Sequence, residues 1–184
     1  TDPVEAAAWA KKAHKELFVL ATYDGPTISF LEKDTVVSVS GIFPIRALAP
    51  VLTNEAFKKS THDAKILMHV ARLCGAQVDG VVFDTMLADY LIAPGLRQHD
   101  FATLALEHLH EEITPGVQGT LLGSSPEEVA RQQASELALI QRLTPILLAT
   151  LKERKQLALL TSLELPLSAV LVDMERVGVR VDVR

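Results

Sequence analysis

Cysteine is nearly absent, aromatic side chains are scarce and positive charge is in deficit, and each shortage removes a class of protein. A single cysteine, Cys74, excludes an intramolecular disulfide framework; set in an apolar stretch, it reads as a small buried hydrophobe. With 18 Lys and Arg against 23 Asp and Glu, the formal net charge is −5. That balance argues against a chain that grips nucleic acid unaided, because neutralising phosphates takes clustered cations. No apolar run approaches the roughly 20 residues of a membrane helix, and no basic-then-apolar segment opens the chain. The expectation is therefore a cytoplasmic monomer with no membrane contact. What the sequence does hold is apolar bulk: 48% hydrophobic and 22% charged residues in 184 positions suffice for one ordinary domain and an appendage. It opens on Thr1 and stops inside Val177-Gly-Val-Arg-Val-Asp-Val, so it reads as a piece of a longer protein.

Local signals divide the chain. Asp2-Pro3 can cap a short Ala-rich helix reaching Lys15. Leu17 to Tyr23, Thr27 to Leu31 and Thr35 to Val39 are β-branched or aromatic runs separated by turn-like Asp24-Gly25-Pro26 and Glu32-Lys33-Asp34, which predicts an antiparallel meander. A short helix is expected over Pro44 to Leu52 and a strand over Phe57 to Ser60. Asp63 is placed to cap a helix to about Leu73, with Ile66, Leu67, Val70 and Leu73 on its apolar face. Val81 to Phe83 reads as a buried strand, Asp84 as the cap of a helix to Leu91, and Asp100 as the cap of another. The stretch 111–125 has no period and reads as a surface loop. Ser125-Pro-Glu-Glu128 fits a capping box that opens a long helix, expected to kink or break at Thr144-Pro145. A meander followed by alternating strands and helices predicts an α/β fold, a mixed sheet flanked by helices.

Three phrases then carry a resemblance: Thr61-His-Asp-Ala-Lys65, Gly80-Val-Val-Phe-Asp-Thr-Met-Leu-Ala-Asp-Tyr-Leu-Ile92, and Leu163-Glu-Leu-Pro-Leu-Ser-Ala-Val-Leu-Val-Asp-Met-Glu-Arg-Val-Gly-Val-Arg-Val-Asp182. In this order and at similar spacing they resemble the DNA polymerase I enzymes of family A, from about Leu17 to the end of the chain. The resemblance implies a ribonuclease H-like 3′–5′ exonuclease-like domain over residues 1–160, followed by the first helix of a polymerase domain over 161–184. It further implies a parent enzyme that extends DNA primers with magnesium, so that the partners are the polymerase domain of the same chain and, through the parent, DNA.

An exonuclease of this kind uses a pair of divalent metals, which need several converging carboxylates. The family's first motif, Asp-x-Glu on the opening strand, falls on Ala21 and Tyr23, and neither replaces a carboxylate. The second places an Asp four residues after an Asn, and the corresponding positions are Asp63 and Leu67. The third, Tyr-x-x-x-Asp on a later helix, falls on Gln132 and Glu136. Glu136 is the one acid left in register, and it reads as a solvated surface group. The nearby acids have other work: Asp24 belongs to the turn at Gly25, and Asp63 and Asp84 cap helices. His62, His69, His99, His108 and His110 are scattered without a zinc-ligand spacing. The expectation is no catalytic residue, no metal and no cofactor in this fragment, with an inactive exonuclease domain surviving as a scaffold. Two alternatives remain: residual metal-dependent proofreading through Asp24, Asp63 and Glu136, and a DNA-guiding surface made of Lys11, Lys12, Lys15, Lys58 and Lys59.

Overall fold

A computed structural model describes residues 3–13, 15–22, 26–113 and 126–180. Helix α1 (Pro3–Ala10) precedes three strands, β1 (Glu16–Thr22), β2 (Thr27–Glu32) and β3 (Thr35–Ser40). Two short helices follow, α2 (Ile42–Ala47) and α3 (Ala49–Leu52), where the sequence suggested one. Then come β4 (Lys58–Thr61), α4 (Ala64–Leu73), β5 (Val81–Asp84), α5 (Thr85–Ile92) and α6 (Phe101–Leu109). The chain closes with α7 (Pro126–Glu153), α8 (Leu157–Leu159), a π turn (Leu160–Glu164) and α9 (Leu165–Val177). Asp2, Tyr23, Asp24, Gly25 and Ser125, the greater part of the expected loop, and Asp182 lie outside the described residues.

The sheet has the order β3-β2-β1-β4-β5. β1, β2 and β3 pair antiparallel as the predicted meander, and β1, β4 and β5 run parallel. Strand and helix bounds follow local chemistry. The Asp63 side chain accepts from the Ile66 amide, Asp84 from Met86 and Leu87, and Asp100 from Thr103, so each acid satisfies amides that the first helical turn leaves free. Gly80 is required before β5: its φ is +73°, and a Cβ there would stand 2.7 Å from the Phe57 carbonyl oxygen. Its own carbonyl accepts from Lys59 across the β4–β5 pair.

Helices cover both faces. Alternation along β1 sends Leu17, Val19 and Ala21 into a core with Leu67, Val70 and Ala71 of α4. It sends Phe18 and Leu20 against Leu137 and Ile140 of α7. A second core joins Phe83, Leu104 and Ala105 to Leu143, Leu147 and Leu151 of α7 and to Leu160 and Leu165. Cys74 is buried and free, as its apolar setting suggested.

Two expectations need correction. α7 is not broken at Thr144-Pro145; it runs on through Pro145. Proline removes one backbone donor, but Leu143 and Leu147 on either side are fully buried and hold the path. The helical path breaks later, at the turn over residues 154–156 where Lys155 has a φ of +57°, and loses regularity again at the π turn ahead of Pro166, which offers no amide to the preceding turn. Secondly, two helices, Glu128–Glu153 and Leu157–Val177, are long and apolar enough by length and composition to cross a membrane. Scattered polar residues interrupt their apolar runs, yet the mean hydropathy over these helices stays at 1.2 and 1.6. In α7 the apolar positions are spent on the two cores just described.

Candidate functional site

The place to look for chemistry is the edge of the sheet where the parallel strands β1, β4 and β5 end, flanked by α4 and α7. Ala21 and Leu67 are brought together there in one core cluster, and Leu67 is fully buried with Val70 beside it. Gln132 and Glu136 form a separate pair on α7, the Gln132 amide donating to Glu136 Oε1 at 2.9 Å. They sit on the helix whose Leu137 packs against Leu20, on the opposite face of the sheet from the Ala21 side chain. Glu136 is half-buried rather than fully solvated as expected from its helical setting. Burial raises its carboxyl above the ordinary value, against the pull of the Gln132 bond.

The β1 positions that do meet α7 are Leu20, in the cluster with Leu137, and Thr22, whose hydroxyl accepts from Gln133 Nε2 at 3.4 Å. Gln133 is buried, and its Oε1 accepts from the Ser29 hydroxyl at 2.6 Å; that hydroxyl lies 2.8 Å from the Ser38 hydroxyl of β3. Neutral side chains therefore fill the space between strand and helix, each polar atom partnered within the protein. These residues do not fit a pair of divalent cations: among the described residues no group of three or more His, Cys, Asp and Glu could hold a metal ion.

Buried carboxylates persist at the neighbouring strand end. Asp84 is fully buried and accepts from the amides of Asp63 (3.2 Å), Ala64 (2.6 Å), Met86 (2.9 Å) and Leu87 (3.2 Å). One side chain thus ties the first turns of α4 and α5. Burial pushes its carboxyl up to about 6, opposed by these amides, with the Asp63 charge adding to the rise. With its oxygens engaged by four amide hydrogens, it has little left to offer a cation.

A second grouping was invisible in the spacing of the histidines. Asp89, 1% exposed on α5, sits 2.6 Å from His99 Nδ1 through Oδ2 and 2.6 Å from His108 Nε2 through Oδ1. Burial works against its charge, but the two imidazole hydrogen bonds and their charges hold its carboxyl below the ordinary value. The signal available beforehand was Asp89 itself, an acid inside the apolar phrase Met86-Leu-Ala-Asp-Tyr-Leu-Ile92, which has to find donors if it is buried. His62 lies close by in the fold, stacked on Phe101 with ring centroids 4.0 Å apart and its Nδ1 2.9 Å from the Thr85 hydroxyl. Burial lowers its imidazole to about 4. His69 instead joins Glu175 of α9.

The basic surface loses a member. Lys59 is fully buried, and its Nζ donates to the carbonyls of Asp79 (2.6 Å), Phe57 (2.8 Å) and Asn54 (3.3 Å). Burial lowers its ammonium to about 8. Lys11, Lys12, Lys15 and Lys58 are exposed, with Lys15 and Lys58 brought together by the backbone bond between them.

A five-stranded sheet in the order 3-2-1-4-5, with helices on both faces and a site framed by β1, α4 and α7, defines a ribonuclease H-like domain. Residues 12–116 match the family described as DNA polymerase I, ribonuclease H-like domain, and the chain belongs to that family. Among its relatives, DNA polymerase I of Mycobacterium leprae is 35% identical over 145 residues, 75% of this chain and 16% of that protein. DNA polymerase I of Bacillus subtilis is 36% identical over 136 residues, 71% of this chain and 15% of its own length. The chain thus spans about one-sixth of these relatives. A solved structure described as the POL domain of Pol1 from M. smegmatis in complex with DNA primer-template and dNTP superimposes with a TM-score of 0.79 at 25% identity, covering 99% of this chain and 32% of that one. NrnC of Brucella melitensis shares the fold, with a TM-score of 0.73 at 12% identity over 92% of this chain and 89% of its own.

Proposed function

We propose that this domain has lost 3′–5′ exonuclease chemistry and serves as a scaffold for a DNA polymerase I, whose separate polymerase domain binds magnesium and extends primers on DNA. The observation that carries this reading is that, in either strand register, no acid stands at the strand motif or at the second motif. If the Asp-x-Glu motif falls on Ala21 and Tyr23, neither is an acid. If it is moved by one residue onto the face of β1 that meets α7, it falls on Leu20 and Thr22, and the partner pair on α7 becomes Gln133 and Leu137. Leu67 stands at the second motif in both cases. Glu136 alone would leave two divalent cations without counter-charge, and the missing metal activation of water would lower the rate by many orders of magnitude. The other acids are engaged elsewhere: Asp63 and Asp84 bind backbone amides.

The test is incubation of the purified chain with a single-stranded oligonucleotide labelled at its 5′ end, in magnesium and in manganese. No shortening from the 3′ end is expected. Shortening that disappears in Glu136→Ala would overturn the reading and restore residual proofreading.

A further inference from the structure

Lys59 is 0% exposed, yet its side chain ends in a charge. In register with Leu17 of β1 and Val81 of β5, it sits inside the sheet with its aliphatic stem closed off from water. A buried ammonium needs partners for its three hydrogens. Three backbone carbonyls supply them: Asp79 at 2.6 Å, Phe57 at 2.8 Å and Asn54 at 3.3 Å. These carbonyls come from two turns, one ahead of β4 and one ahead of β5, and each turn has bonds of its own. Asn54 accepts from the amides of Ala56 and Phe57, and the Asp79 amide donates to Leu52. Gly80 lets the turns press together, since a Cβ there would stand 3.0 Å from Glu55 Cα. The backbone itself therefore aims the three oxygens at one point.

Converging carbonyl oxygens replace the hydration shell of a monovalent cation, whereas a divalent ion needs more oxygens and carboxylate charge. Burial lowers the Lys59 ammonium to about 8, the Asp79 charge opposing and Lys58 adding, which leaves it charged at neutral pH. We infer that the carbonyls of Asn54, Phe57 and Asp79 form a monovalent-cation site, suited to a primary ammonium, that the chain fills with its own side chain. Three hydrogens on one nitrogen match three oxygens, a fit that the planar fork of a guanidinium lacks. The site fastens the entry of β4 to the entry of β5, at the end of the sheet away from Asp63 and Asp84.

Lys59→Ala opens the site, and n-propylammonium is the probe, because it restores the carbons and the nitrogen that the substitution removes. At about 50 mM the probe raises the melting midpoint of Lys59→Ala by about 5 °C. n-Propanol and tetramethylammonium, which lack the charge or its hydrogens, do not, and the unsubstituted chain, whose site is filled, gains nothing from the probe. No shift, an equal shift from n-propanol, or the same shift in the unsubstituted chain overturns the inference. A shift from potassium and not from the probe overturns the preference for ammonium. If Lys59→Ala does not fold with the probe present, the unsubstituted chain decides. In its nitrogen-15 magnetic resonance spectrum at neutral pH, the Lys59 ammonium is expected to exchange its hydrogens about a hundredfold more slowly than exposed lysines do. Exchange as fast as theirs overturns the inference.

Discussion

The β5–α5 corner and the β1–α7 face belong to one sheet and treat carboxylates in opposite ways. At the corner, Asp84 and Asp89 are buried like the core leucines, and each is surrounded by donors: four backbone amides for Asp84, two imidazoles for Asp89. Between β1 and α7, Leu20, Thr22, Gln133 and Leu137 fill the space without charge. The difference is one of partners. An acid that ligates a metal must keep oxygens free of protein donors, and without the cation such an acid is an uncompensated buried charge. An acid whose partners are supplied by the fold is stable without any ion. Buried acids in this domain are therefore to be judged by what already donates to them, rather than by their depth.

The strongest way to break the contrast is to remove the best-supplied acid. Asp84→Ala leaves amides of two helices without their acceptor, and about 4 kcal/mol of stability should be lost, which lowers the melting temperature by roughly 10 °C. Circular dichroism melts would show it; a change of a degree or two would mean that water replaces the carboxylate without penalty. Leu67→Asp asks the converse question by putting a charge where the core is apolar. A loss of about 3 kcal/mol in urea unfolding is expected, with no recovery in millimolar manganese. Recovery would show that other acids can join it around a cation.

The two buried acids also differ in the sign of their pH dependence. Asp89 has a folded value below its ordinary 3.8, so its contribution is fully present above that value and is lost as pH falls through the lower folded value. Asp84 is raised to about 6, so the folded state binds the extra proton and its contribution declines as pH rises from 3.8 toward 6. Urea titrations of Asp89→Asn are expected to show about 2 kcal/mol less stability at neutral pH, with the gap to the unsubstituted protein narrowing below pH 3.8. A gap that stays constant into acid would detach Asp89 from the titration. The smallest effect belongs to Glu136→Gln. It keeps the shape of the pair with Gln132, and a change within about 0.5 kcal/mol is expected. Any larger loss would give Glu136 a role that its single hydrogen bond does not explain.

Much of the fold was legible because its signals are local. Asp63, Asp84 and Asp100 each stand just before an apolar helical pattern and cap it, and the β-branched runs separated by turn residues became the meander. The candidate site was legible in part. Leu67 declared itself by its apolar neighbours at helical spacing, whereas the side of β1 that meets α7 could not be read. Alternation tells which residues share a face without telling which helix covers it.

By itself, then, the sequence determined the strands, the helix caps and an apolar residue at Leu67, since each depends on hydrogen bonds or periodicities contained within a few residues. Tertiary structure alone decided that Ala21 faces α4 while Leu20 and Thr22 face α7. It also decided that Lys59 is buried among three carbonyls, and that α9 turns one side to α4 and leaves the other bare. The same holds for His99 and His108, which lie 10 and 19 residues from Asp89 in the chain and meet at its carboxylate. Such meetings are set by how whole elements stack, and desolvation then selects the partners that a buried charge must have.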